Sequence, residues 1–263
     1  MTSLADTELL RTRWRRVLER HAIDTVNRDD FAVGGLATRL QTPSVQLLVL
    51  PADPEAEVLH LDDALWVWLE AKKSVDVDGR AIRFGDRSCP TAYAAALVTG
   101  HGTSWKHYLA VHRSGAIELG LGDCGGWERQ NREGELVRVF NLISIVTYTW
   151  AVLKFGAAHY ERLSLIGPWH LTVAVRGTEG ALLGNVGEGW AEPGPFENSV
   201  GGCVEQNLLW HLELQDWPDE EGQQQLAFVV GDRFEDAWGV SQRRYLAHRG
   251  DRVGRLDLRH IAE

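Results

Sequence analysis

The sequence predicts an α+β fold in which a mainly antiparallel sheet packs around one central apolar helix. Three observations carry this prediction. The stretch of about 136–160, LVRVFNLISIVTYTWAVLKFGAAHY, is apolar on nearly every side: Phe140, Leu142, Ile143, Ile145, Val146, Trp150, Val152, Leu153 and Phe155 leave no broad polar face. Such a helix is stable only with other elements packed all round it. Strand candidates outnumber helix candidates, and turns join most of them where crossover helices would be needed for parallel strands. Two segments, Trp169–Val175 and Leu208–Leu214, alternate apolar and polar residues at the two-residue period of a half-buried strand.

Taken in order, residues 5–27 read as an amphipathic helix, with Leu10, Trp14, Val17 and His21 on one side and Arg11, Arg15 and Arg16 elsewhere. Short strands are expected at Val45–Leu50, Val58–Leu61, Ala64–Ala71 and Ala81–Phe84, the last after a turn at Asp78-Gly79. Thr91–Thr99 is rich in small residues and follows Pro90, so a helix is expected there. His107–His112 and Ala116–Leu119 flank Arg113-Ser114-Gly115 as a hairpin. Gly177 to Gly202 is loop-heavy, Leu226–Val230 reads as a strand, and Arg233–Trp238 and Gln242–Arg249 read as helical. With no fixed-period repeat and no low-complexity linker, the chain reads as one compact body over 1–263, with sub-lobes at 1–100 and 105–240 as the alternative and a basic tail at 241–263.

Composition narrows the function classes. At 44% hydrophobic and 24% charged, the chain has the make-up of a soluble globular protein. Asn141 and Lys154 interrupt the apolar stretch, leaving it short of the roughly 20 residues a bilayer requires, so no membrane span is expected. Three scattered cysteines, Cys89, Cys124 and Cys203, give neither a disulfide framework nor a metal knuckle. MTSLADTELL has no basic patch followed by an apolar run, and a cytoplasmic setting is expected.

The net charge of −10 is unevenly placed: residues 161–240 hold 14 acids against 3 arginines, whereas 241–263 hold 6 arginines against 3 acids. An acidic body disfavours a large nucleic-acid surface, because phosphate contacts supply most of that affinity.

One pattern resembles a catalytic motif. Metal-dependent nucleases of the PD-(D/E)xK type carry an acid near one strand and an acid-x-Lys on the next. Asp53 would be the first acid, with Glu70 following 17 residues later and Lys72 two positions beyond it. On a strand, residues i and i+2 share a face, so Asp53 and Glu70 could hold Mg²⁺ while Lys72 polarises the attacking water. With four lysines and 37 acids in the chain, chance supplies about half such a match, and a plain strand with a charged end is the competing reading. His107 and His112 differ by five and fall on opposite faces of a strand, so they build no metal site with His101. The run Gly120–Gly126 lacks the Gly-Lys-Ser/Thr ending of a phosphate loop.

The order of features in the second half resembles a known family. The hairpin HYLAVHRSGAIELG, the apolar helix, HYERLSLIGPWHLTVAVRGTEGALLGN, NLLWHLEL and the closing DRFEDAWG are similar to the region C-terminal to the Schlafen-type AlbA-like domain in bacterial predicted DNA-binding proteins. The likeness covers about Trp105 to Gly239. The Glu-Phe-Lys segment and glycine pair of the AlbA-like domain have no counterpart, since Gly34-Gly35 lacks their context, so that domain's nucleic-acid activity is not implied. The resemblance implies an accessory module that binds or scaffolds.

Three readings follow. The first is a non-enzymatic cytoplasmic protein-binding module, a subunit of a larger bacterial assembly that meets another protein or itself, needs no cofactor, and uses Trp14, Arg15, Arg243, Arg244 and Arg249 as contacts. The second is the Mg²⁺-dependent nuclease of Asp53, Glu70 and Lys72. The third is nucleic-acid binding through the basic tail, with Arg252 and Arg255 added to its three arginines.

Overall fold

The computed structural model describes residues 36–40, 42–54, 56–91, 94–101, 104–122, 127–130, 135–184, 202–240, 248–249 and 252–256. The expected N-terminal helix with Trp14 and Arg15, and the tail residues Arg243 and Arg244, lie outside them.

After a short 3-10 turn at Leu36–Arg39, the elements are β1 (Ser44–Leu50), α1 (Asp63–Ala71), β2 (Ser74–Val77), β3 (Arg80–Arg83), β4 (Arg87–Pro90), β5 (Ala94–His101), β6 (Ser104–His112), β7 (Ile117–Leu121), β8 (Trp127–Gln130) and β9 (Leu136–Asn141). Then come α2 (Leu142–Leu163), β10 (Trp169–Arg176), β11 (Leu182–Gly184), β12 (Asn207–Leu214), α3 (Glu220–Ala237), β13 (His248–Arg249) and β14 (Arg252–Leu256). Seven strands form the main sheet in the order β12-β10-β1-β7-β6-β5-β4, and every neighbouring pair is antiparallel. The fold is α+β, as the sequence predicts. Because β1 sits between β10 and β7, the first hundred residues and the second half share one sheet.

Alternation along the strands divides the sheet into two faces. Val45, Leu47 and Val49 of β1, Leu109 and Val111 of β6, Ile117, Leu119 and Leu121 of β7, and Leu171, Val173 and Val175 of β10 share one core with α2 and α3. The other face carries Ala94, Ala96, Val98, Tyr108 and Ala110, packed with Leu36, Leu40 and Trp105. Burying a large aromatic yields more than burying any aliphatic side chain, and Trp105, Trp150, Trp169 and Trp238 are each 5% exposed or less.

The central helix begins at Leu142, later than expected, because Asn141 is its cap: its side chain accepts from the Ser144 N–H at 3.5 Å. The apolar residues before it, Leu136–Asn141, are strand β9. Among the described residues no helix is long and apolar enough to cross a membrane.

Five other expectations are corrected. Ala64–Ala71 is helical: the Asp62 side chain accepts from the Leu65 N–H at 2.9 Å, and Leu65 and Leu69, four apart, bury the inner stripe. Its aromatic content suggested a strand, but cap and spacing decide. Thr91–Thr99 contributes strand β5, whose alanines fit a strand buried between β4 and β6. Leu226–Val230 is helical, part of the same helix α3 that holds Arg233–Ala237, helical as expected; Trp238 is its C-cap, and Asp219 caps its start by accepting from the Gly222 N–H at 2.9 Å. Val58–Leu61 is irregular, and the N–H groups of Val58 and Leu59 both donate to the Arg113 carbonyl at 2.9 Å. In Gln242–Arg249, read as helical, His248 and Arg249 form strand β13 opposite β14.

Candidate functional site

The face of the main sheet away from the two long helices carries a group of buried polar side chains, Gln46, His112, Glu118 and Thr172. Glu118 projects from β7 between Ile117 and Leu119, which face the helices. Antiparallel register sets Gln46 on β1 and Tyr108 on β6 both opposite Gly120, one step along the same face. The Glu118 Oε1 accepts from Gln46 Nε2 at 2.7 Å and from the Tyr108 hydroxyl at 2.5 Å, and its Oε2 lies 2.8 Å from His112 Nε2. Glu118 is only 2% exposed.

A buried carboxylate costs several kcal/mol unless hydrogen bonds and charge replace its water. Here three side chains replace it, and the Arg176 guanidinium acts favourably on both Tyr108 and Glu118. Burial, and then the neighbouring Glu118 charge, push the Tyr108 hydroxyl well above the ordinary tyrosine range. Burial likewise pulls Arg176 below its ordinary value. The network ties β1, β6 and β7 across one face and gives the sheet a fixed register.

Towards β12 the same face opens to solvent. Thr172 of β10 is fully buried, whereas His211, opposite it on β12, is exposed. His211 Nδ1 lies 3.0 Å from Thr172 Oγ1. One step along, His170 stands opposite Glu213, which accepts from Gln215 Nε2 at 2.6 Å. Burial, and then proximity to His211, pull His170 down to about 4, and burial lowers His211 as well. Both rings are therefore neutral donors or acceptors near pH 7.

The residues of the nuclease pattern lie on different elements. Asp53 is exposed in the loop between β1 and α1. Glu70 is in the last turn of α1 and pairs with Lys73 at 2.5 Å. Lys72 is the cap that ends the helix, its N–H donating to the Leu69 and Trp68 carbonyls. On a helix, i and i+2 point apart, so the shared face that the motif needs is lost. Glu70 instead lines a shallow groove of about 430 Å³ with Trp66, Val67, Asp86, Arg87 and Ser88. Among the described residues no three histidine, cysteine or acidic side chains gather as a metal site. Arg249 belongs to β13.

His107 and His112 do face opposite sides, as their spacing requires: His107 meets Tyr148 of α2 with ring centroids 5.5 Å apart, and His112 meets Glu118. Glu118 itself was missed, because an acid between two apolar strand residues ordinarily points to water. Gly120 was the available signal. A Cβ there would lie 2.2 Å from Tyr108 Cε1, so the bare backbone makes room for the ring that reaches Glu118.

These features define an α+β protein with a large antiparallel sheet, a buried polar network on one face and an end strand, β12, that pairs with β10 alone among the described residues. No protein-family model, curated protein or solved structure matches the chain.

Proposed function

We propose that the chain is a non-enzymatic cytoplasmic protein-binding module, a subunit of a larger assembly, and that it engages its partner through β12. The observation that carries this reading is the condition of that strand. β12 ends the main sheet and, among the described residues, pairs with β10 alone. It runs for eight residues without proline, with Leu209 37% exposed on it and Val204 88% exposed just before it. Proteins commonly blunt a sheet edge with short length, proline, bulges or lysine, and a long edge without them is a template for an added strand. The opposite edge is blunted: β4 has four residues and ends in Pro90. The resemblance of residues 105–239 to the accessory region of AlbA-like proteins is part of the same proposal.

The test is cross-linking of the tagged chain in its source cell, followed by mapping of the linked peptides. Contacts from a stoichiometric partner to residues 204–214 support the reading. A partner attached only elsewhere, or no association at micromolar concentration, removes it.

A further inference from the structure

We infer that the strand added to β12 is β12 of a second copy of this chain, paired antiparallel about a two-fold axis through Leu212. This deepens the reading of β12 as a binding edge and rests on it. An isologous contact requires that a surface complement itself, and the segment Trp210-His211-Leu212-Glu213-Leu214 does so. Centred on Leu212, Trp210 stands opposite the partner's Leu214, His211 opposite the partner's Glu213, and Leu212 opposite the partner's Leu212.

The two faces sort correctly in this register. Trp210, Leu212 and Leu214 are half-buried on the side of α3, where Trp210 meets Phe234 with ring centroids 5.0 Å apart. His211 and Glu213 are exposed on the other side. Thr172 engages His211 Nδ1, so its Nε2 is directed away from Thr172, and Gln215 occupies only Oε1 of Glu213. Each Nε2–H can therefore donate to the partner's Glu213, twice per dimer.

Neighbouring registers are worse. A two-fold axis normal to the sheet allows only shifts of two residues. One such shift sets His211 against His211, and the other sets the like charges of Glu213 and Glu213 face to face, which destabilises a cross-strand pair. The resulting dimer would carry one continuous sheet of fourteen strands, twice the seven of each chain.

The experiment is sedimentation velocity of the purified full-length chain across the micromolar range, since a strand-to-strand contact sits at the small end of interfaces. A concentration-dependent dimer is expected. His211→Glu and Glu213→Lys should each weaken it about tenfold, because two cross-strand pairs change together, and the double variant should recover it. Both positions are exposed, and unchanged melting temperatures show that the fold is kept. A monomer at every concentration overturns self-pairing, as does a dimer indifferent to both single variants. If a different protein cross-links to residues 204–214 of that monomer, the edge reading survives. If nothing contacts β12, both fall.

Discussion

Gln46 Nε2 donates to Glu118 Oε1 at 2.7 Å, joining strands whose residues are 72 positions apart in the chain. With Tyr108 and His112 on the same carboxylate, Glu118 joins β1, β6 and β7 from a position only 2% exposed. Removing the centre strands its partners. Glu118→Ala leaves a buried hydroxyl, amide and imidazole without their acceptor, and the expected loss is about 3–5 kcal/mol in urea denaturation. The combination Gln46→Leu, Tyr108→Phe, Glu118→Leu removes most of the orphaned groups as well and should cost less than Glu118→Ala alone. A triple variant weaker than the single one would show that the network contributes net stability beyond its own satisfaction.

Gly120→Ala tests how closely the network is packed. The added Cβ would lie 2.2 Å from Tyr108 Cε1 and 2.7 Å from Leu40 Cδ1, so the ring must leave its place beside Glu118. Alanine gains roughly 0.5–1 kcal/mol over glycine in a strand. The forced repacking costs about 1–3 kcal/mol and dominates. Thermal unfolding should show a net loss, and in a cycle with Tyr108→Ala the two losses should be less than additive. Full additivity would mean that the ring is not what Gly120 accommodates.

What could be read in the sequence was what a local period encodes. β10, β12 and the β6–β7 hairpin follow from alternation and turn residues, and each is observed. Where two periods competed, local reading failed. ALWVWLEA carries strand-forming aromatics on a helix that Asp62 caps, and the alanines of β5 mimic a helix because that strand is buried on both sides. Glu118 was hidden for a deeper reason: its partners come from β1 and β6, and only the strand order brings them together. The same holds for β12, since nothing in NLLWHLEL says that it ends the sheet.

His159 supplies a pH test that needs no partner. Its ring stacks on Phe155 at 15° and 5.9 Å, with Trp68 and Tyr160 around it and no solvent exposure. Nε2 donates to the Gly115 carbonyl at 3.2 Å, and Nδ1 has no hydrogen-bond partner among the described residues. Burial, reinforced by the Arg162 charge and only partly offset by the Gly115 carbonyl, pulls the ring down to about 4 from an ordinary 6.5. The unfolded chain therefore takes up a proton first as the pH falls. Stability is intact above about 6.5 and is lost progressively between 6.5 and 4; at pH 5 the loss from this residue is about 2 kcal/mol. His170 and His211, both lowered, act in the same direction. His159→Phe keeps the aromatic packing and abolishes the titration, giving up one hydrogen bond worth about 1 kcal/mol at pH 7. Urea midpoints for both proteins at pH 7 and pH 5 should show the variant weaker at the first and at least level at the second. Equal pH slopes would mean that the ring is protonated without unfolding, and that the aromatic box opens to admit the charge.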